Sequence, residues 1–184
     1  MSAHLVVIDL QEVFADPGSD WFTPRFEEIL EPVDRLVEAF APRVTFTRFV
    51  APPRPHGAWQ AYYERWPAAL EPPSSPIYRL VDRYAASAGD TVDATTFSKW
   101  GSSLVERIGP AASVVLAGVS TDCCVLSTAL AAADAGLRVL VAVDACAGAD
   151  DLSHERALQV MALYAPLIEL TSSATAAGLA AGDS

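Results

Sequence analysis

Residues 113–145 read SVVLAGVSTDCCVLSTALAAADAGLRVLVAVDA. An apolar run at 113–120 passes into an alanine-rich segment at 121–136 that ends in glycine, and a second β-branched run starts at Arg138. Strand, helix, strand is the unit of a parallel sheet, because parallel neighbours need a crossover long enough to hold a helix. Neither run alternates apolar with polar residues, which is how strands read when both faces are covered.

The same alternation extends in both directions. HLVVIDL (4–10), RFEEILEPVDRLVEAFA (25–41) and VTFTRFV (44–50) come before it, and SHERALQVMALYA (153–165) and LIELT (167–171) come after. The pattern predicts an α/β fold, a three-layer α/β/α sandwich around a mainly parallel, Rossmann-like sheet of about six strands. Thr23 and Pro24 offer a helix N-cap and first-turn proline, Ser153 with Glu155 and Arg156 opens another helix, and Gly136 closes the one containing the cysteines. Residues 51–76, APPRPHGAWQAYYERWPAALEPPSSP, are too rich in proline for a central strand and too aromatic for an idle linker. They predict a long loop with a short helix lying over something. The C-terminal TSSATAAGLAAGDS predicts a short helix with a frayed end.

Composition bounds the function. With 184 residues, 52% of them hydrophobic, the chain is expected to form one domain over 1–184. A formal charge of −11 repels nucleic acid phosphates and anionic lipid, leaving a small molecule as the expected partner. The N-terminus MSAHLVVIDLQE lacks a basic leader and is apolar for only four residues before Asp9, so a cytoplasmic protein is expected. Three cysteines make no disulfide framework and are expected as thiols.

In open α/β sheets, ligands bind outside the carboxyl ends of the strands. Asp9, Arg48, the GVSTDCC segment and Asp144 all fall at such ends. Adjacent residues of a helix point about 100° apart, so only one of Cys123 and Cys124 can face the crevice. If Ser120 or Thr121 caps the helix, Cys124 lies in its first turn, where the dipole favours a thiolate. The plain alternative is that all three cysteines are small core residues, and Cys146 is read that way. Lys99, in TTFSKWGSS, is the sole lysine among 12 basic residues. A compact ammonium does there what a planar guanidinium would not, although a surface lysine is the ordinary alternative. Asp9 has an alternative too, as a cap for the amides of Gln11 and Glu12. A carboxylate, an ammonium and a helix-start thiol together suit activation of a sulfur nucleophile.

VVIDLQEVF (6–14), FSKW (97–100) and LAGVSTDCCV (116–125), in that order over nearly the whole chain, resemble the isochorismatase-like cysteine hydrolases, which include nicotinamidase and N-carbamoylsarcosine amidase. The resemblance implies a catalytic triad of Asp9, Lys99 and Cys124, with Cys123 at a variable position. It also implies a cis peptide between Val119 and Ser120, an oxyanion hole from the N–H groups of Ser120 and Cys124, and a homo-oligomer, dimer or tetramer. Nicotinamidases of this family hold a metal through an Asp-x-His pair after the second strand. Phe49 and Ala51 stand there in this chain, and His56, His4 and His154 lie elsewhere, so no metal and no cofactor are expected. Phe14 matches a pocket position of the family. Trp59, Tyr62 and Trp100, with Tyr63 and Trp66, are candidates for the remaining wall, or for core or subunit contacts. Arg48 or Arg54 is a candidate for binding a substrate carboxylate. The expected activity is metal-independent hydrolysis of a small carboxamide, ureido or carbamoyl compound through a Cys124 thioester. The alternatives are a non-hydrolytic binding or thiol-redox protein on this scaffold, or an isochorismate- or nicotinamide-type hydrolase.

Overall fold

The computed structural model describes residues 3–181. Six strands, β1 (Ala3–Ile8), β2 (Val44–Phe49), β3 (Thr91–Ala94), β4 (Ser113–Val119), β5 (Arg138–Ala147) and β6 (Ile168–Thr171), form one sheet in the order β3-β2-β1-β4-β5-β6. Every neighbouring pair is parallel, so the sheet is wholly rather than mainly parallel.

Strand side chains alternate between two faces, and the cores divide accordingly. Leu5, Val7, Val115, Ala117, Leu140 and Ala142 face α2 (Phe26–Phe40), which contributes Ile29, Val33, Leu36 and Phe40, and α7 (Ser173–Ala181) joins it through Ala176. Val6, Ile8, Val114, Leu116, Val139 and Val141 face the other way. There they meet Leu104 and Ile108 of α4 (Ser102–Ile108), Ala129 and Ala132 of α5 (Leu126–Asp134) and Met161 of α6 (Asp151–Ala162). Two apolar layers on one sheet are the three-layer sandwich that the uninterrupted strands imply.

Several details differ from the sequence reading. The short edge strand β3, TVDA, has a single buried residue, so no apolar run announces it. Arg25 rather than Thr23 stands at the α2 N-cap. Asp150 rather than Ser153 caps α6, accepting from Ser153 N at 2.8 Å and Ser153 Oγ at 2.7 Å. The cysteines lie in a π-helical turn, Thr121–Val125, ahead of α5. Gly136 does end α5, with φ of +92° and Leu137 N bonded to Ala132 O. The proline-rich segment holds α3 (Ala58–Arg65), whose Tyr63 packs with Phe49, Val50, Ala51, Ala69 and Tyr78 in a third cluster. The frayed end expected of the C-terminus falls at 182–184, outside the described residues. Among the described residues no helix is long and apolar enough to cross a membrane.

Two contacts fix the sheet's centre. Gly118, with φ of +116°, runs so close to β1 that a Cβ would stand 2.0 Å from Ile8 O. Gln11, at the start of the short helix α1 (Glu12–Ala15), is fully buried; its amide donates to Phe49 O and Tyr78 O and accepts from Phe49 N.

Candidate active site

The chain runs outward from β1 to β2 and β3, then returns to place β4 on the other side of β1. That reversal leaves a crevice at the carboxyl ends of β1 and β4, where ligands bind in folds of this kind. Asp9 follows β1 directly, in the left-handed region at φ of +54°, and Ser120 follows β4. Few non-glycine residues adopt such a φ, and those that do concentrate at functional sites.

Asp9 is fully buried, and its Oδ1 accepts from Thr47 Oγ1 at 2.8 Å. Its Oδ2 lies 2.8 Å from Lys99 Nζ, both side chains having no exposure. The ammonium sits off the hydrogen-bonding directions of that oxygen, which therefore retains acceptor capacity, and donates instead to Thr96 O at 3.0 Å. The face of Phe49, 5.0 Å from Nζ, adds a cation–π contact. Gln11 N bonds Asp9 O and Glu12 N bonds Arg79 O, so the carboxylate is not spent on capping those amides.

Lys99 arrives from the loop between β3 and α4. Its own N–H donates to Thr128 Oγ1 at 2.9 Å, and that hydroxyl donates to Cys124 O at 2.7 Å. One buried threonine thus ties the lysine loop to the cysteine turn. Cys124 is 2% exposed and borders both charged partners. Burial pushes its thiol well up; Lys99 pulls it down, and the charge of Asp9 and a hydrogen bond to it push it further up. Desolvation is the largest of these influences and outweighs the ammonium. Cys123, half-buried, is pushed up to about 11 by burial and by Asp122. Cys146 is buried and pushed up to about 12, also by burial, in keeping with a packing role.

A cavity of about 350 Å³ opens beside these groups. Ser120, Cys123 and Cys124 line it together with Phe14, Trp21, Phe22, Phe49, Tyr62, Trp66 and Phe97. Asp20, Thr23, Asp122 and Ala149 complete the lining. Of the expected wall residues, Phe14, Tyr62 and Trp66 stand in it, whereas Tyr63 packs in the third cluster. Trp59 lies behind it, its ring 5.2 Å from those of both Tyr62 and Phe97, and Trp100 packs into the α4–α5 core. Trp21, Thr23, Phe97, Asp122 and Thr128 were not read from the sequence as site residues. Phe97 alone carried a visible signal, two residues before the distinctive lysine. Arg48 is not directed to a substrate: it forms a two-bond ion pair with Asp93 on β3.

The Val119–Ser120 peptide bond is cis. The metal position implied by the resemblance does not fit this chain, because Phe49 and Ala51, both buried and apolar, occupy it. Elsewhere His4 bonds Thr45 and His154 bonds Thr121, and no three His, Cys, Asp or Glu gather in a metal-binding group among the described residues.

Comparison with known proteins agrees with this architecture. A family model described as an isochorismatase domain matches residues 3–174. Isochorismatase domain-containing protein 2 of Rattus norvegicus is 35% identical over 95 residues, 45% of each chain, so the match spans under half the length of that curated relative. A cysteine hydrolase from Pseudomonas syringae superposes with a TM-score of 0.82 at 19% identity, over 98% of this chain and 92% of that one. N-carbamoylsarcosine amidase from Thermoplasma acidophilum superposes with a TM-score of 0.73 at 21% identity, over 94% and 97%.

Proposed function

The chain belongs to the isochorismatase family of hydrolases, and on that premise we propose that it is a metal-independent cysteine amidohydrolase using Asp9, Lys99 and Cys124. The observation that carries the proposal is the fully buried Asp9–Lys99 ion pair beside a buried thiol at the edge of an aromatic cavity. A buried ion pair is costly to build, and its survival next to a nucleophile favours chemistry over packing.

In this mechanism Cys124 rests as a thiol, and its proton passes to Asp9 as the sulfur attacks the amide carbonyl carbon. Lys99 holds Asp9 in place and balances the charge that moves onto sulfur. The carbonyl oxygen becomes an oxyanion held by the N–H groups of Ser120 and Cys124, both on the cavity lining. Collapse breaks the C–N bond, and Asp9 returns the proton to the leaving amine. Asp9 then takes a proton from water, whose oxygen attacks the thioester carbon. The acid leaves and the thiol is restored. A thiol-redox role fits less well, because the sequence has no Cys-x-x-Cys pair and the three cysteines are free.

Ammonia release from a panel of small carboxamides, ureido and carbamoyl compounds tests the proposal. Cys124→Ala is expected to lose activity by roughly a thousandfold or more, and Cys123→Ala to stay within about threefold of the parent. Chelator is expected to leave the rate unchanged. Activity surviving in Cys124→Ala, or lost equally in both variants, would count against the assignment.

A further inference from the structure

If this cavity is the active site, as proposed above, its lining constrains the substrate's charge. None of the lining residues is a lysine, arginine or histidine. Two are carboxylates. Asp20 is exposed and has no ion-pair partner among the described residues. Asp122 accepts only from neutral donors: Ser120 Oγ at 3.1 Å, Ala149 N at 2.9 Å and Cys123 Sγ at 3.5 Å. The nearby cations are committed elsewhere: Lys99 to Asp9, Arg48 to Asp93, Arg25 to Glu28 and Asp151. Arg65 lies over the Trp66 ring at 5.3 Å from its centre and does not line the cavity. A third polar group has no partner at all: Thr23 lines the cavity, is fully buried, and its Oγ1 makes no hydrogen bond within the protein. A buried hydroxyl without a partner is costly unless something else supplies one. Seven aromatic side chains, with Ser120, Cys123, Cys124 and Ala149, provide the remaining surface.

We propose that the cavity selects an aromatic carboxamide whose remaining substituents are neutral or positively charged, and rejects carboxylate-bearing ureido and carbamoyl compounds, with Asp20 setting much of the discrimination. A substrate carboxylate would meet two like charges and no cation, whereas an ammonium substituent would meet two carboxylates and the faces of aromatic rings. The flat apolar walls accept an aromatic body, and Thr23 Oγ1 offers one directed hydrogen bond. The chain's charge of −11 adds a field of the same sign.

The test uses two thiol reagents of matched shape, iodoacetamide and iodoacetate, in a Cys123→Ala background, with labelling at Cys124 mapped by mass and each rate divided by that for a free thiol. Iodoacetamide is expected to be favoured by about tenfold or more, with the preference shrinking several-fold in Asp20→Asn and in high salt. Hydrolysis of 4-(aminomethyl)benzamide, 4-methylbenzamide and 4-carbamoylbenzoate is the second readout, with the carboxylate expected to be the poorest substrate. Equal labelling by the two reagents, a ratio unmoved by Asp20→Asn, or preferred turnover of the carboxylate would overturn the charge selection while leaving Cys124 as the nucleophile. If folded protein is labelled by neither reagent and hydrolyses none of the amides, the active-site reading falls, and this inference with it.

Discussion

Thr128 carries no charge and takes no part in bond making, yet its hydroxyl joins the two segments that the proposed chemistry requires. It receives the Lys99 N–H and donates to the Cys124 carbonyl, in a fully buried position. Replacing it with valine keeps the volume but leaves the buried Lys99 N–H without its acceptor, which costs about 1–3 kcal/mol, and removes one of the donors to Cys124 O. Thr128→Val is expected to lower kcat about tenfold or more, to shift the pH profile of kcat/KM, and to be rescued by Thr128→Ser. A variant that only melts earlier, with kcat and pH profile unchanged, would mark Thr128 as structural. This residue also shows where sequence reading stops. Asp9, Lys99 and Cys124 stand out because each is chemically conspicuous in its segment. Thr128 is one small residue in an alanine-rich helix, and its role exists only once two distant segments meet.

At the level of elements, the strands were readable and their ends were not. Apolar runs marked β1, β4 and β5, since burial on both faces demands them, whereas β2, VTFTRF, was marked by its β-branched and aromatic residues. β3 escaped because an edge strand with one buried residue needs no such run. Caps were misplaced where two polar residues competed, as with Asp150 and Ser153, because either can begin a helix and only packing decides. Trp59 and Trp100 went astray for a related reason: an aromatic side chain fits a pocket or a core equally well by composition. Among the described glycines the closest approach is that of Gly118 on β4 to β1. Gly118→Ala places a methyl group 2.0 Å from Ile8 O at a φ of +116°. It is expected to cost more than about 4 kcal/mol, enough to leave little folded protein, as read by urea denaturation and soluble yield. Near-parental stability would mean that the two strands can part without penalty.

Over the whole molecule, two histidines tie stability to pH. His4 bonds Thr45 between β1 and β2, and burial, then Arg43 and Arg107, pull its pKa below 6.5. His154 moves the same way, through burial and then Arg25. The unfolded chain therefore binds these protons more readily than the folded one, and stability rises with pH across the interval between the two values. The contribution is complete above about 6.5 and is lost as pH falls through the folded values. The urea midpoint is expected to drop between pH 7.5 and 5.5, with a shallower drop in His4→Gln and shallower still when His154→Gln is added. An unchanged slope in the double variant would assign the effect to other groups. Asp34, Asp150 and Glu169, held below their ordinary 3.8 to 4.5, act only in more acid solution.

The order β3-β2-β1-β4-β5-β6 also governs when the chemistry can begin during synthesis. Asp9 is made before Lys99, but β1 keeps one flank open until β4 has been made. Only then can the turn bearing Cys124 settle beside its base. A nascent chain stalled after β3 has made Asp9 but not yet Cys124, whose turn follows β4. The proposed nucleophile and its base thus come together only once β4 has docked against β1, and strand order sets when they meet.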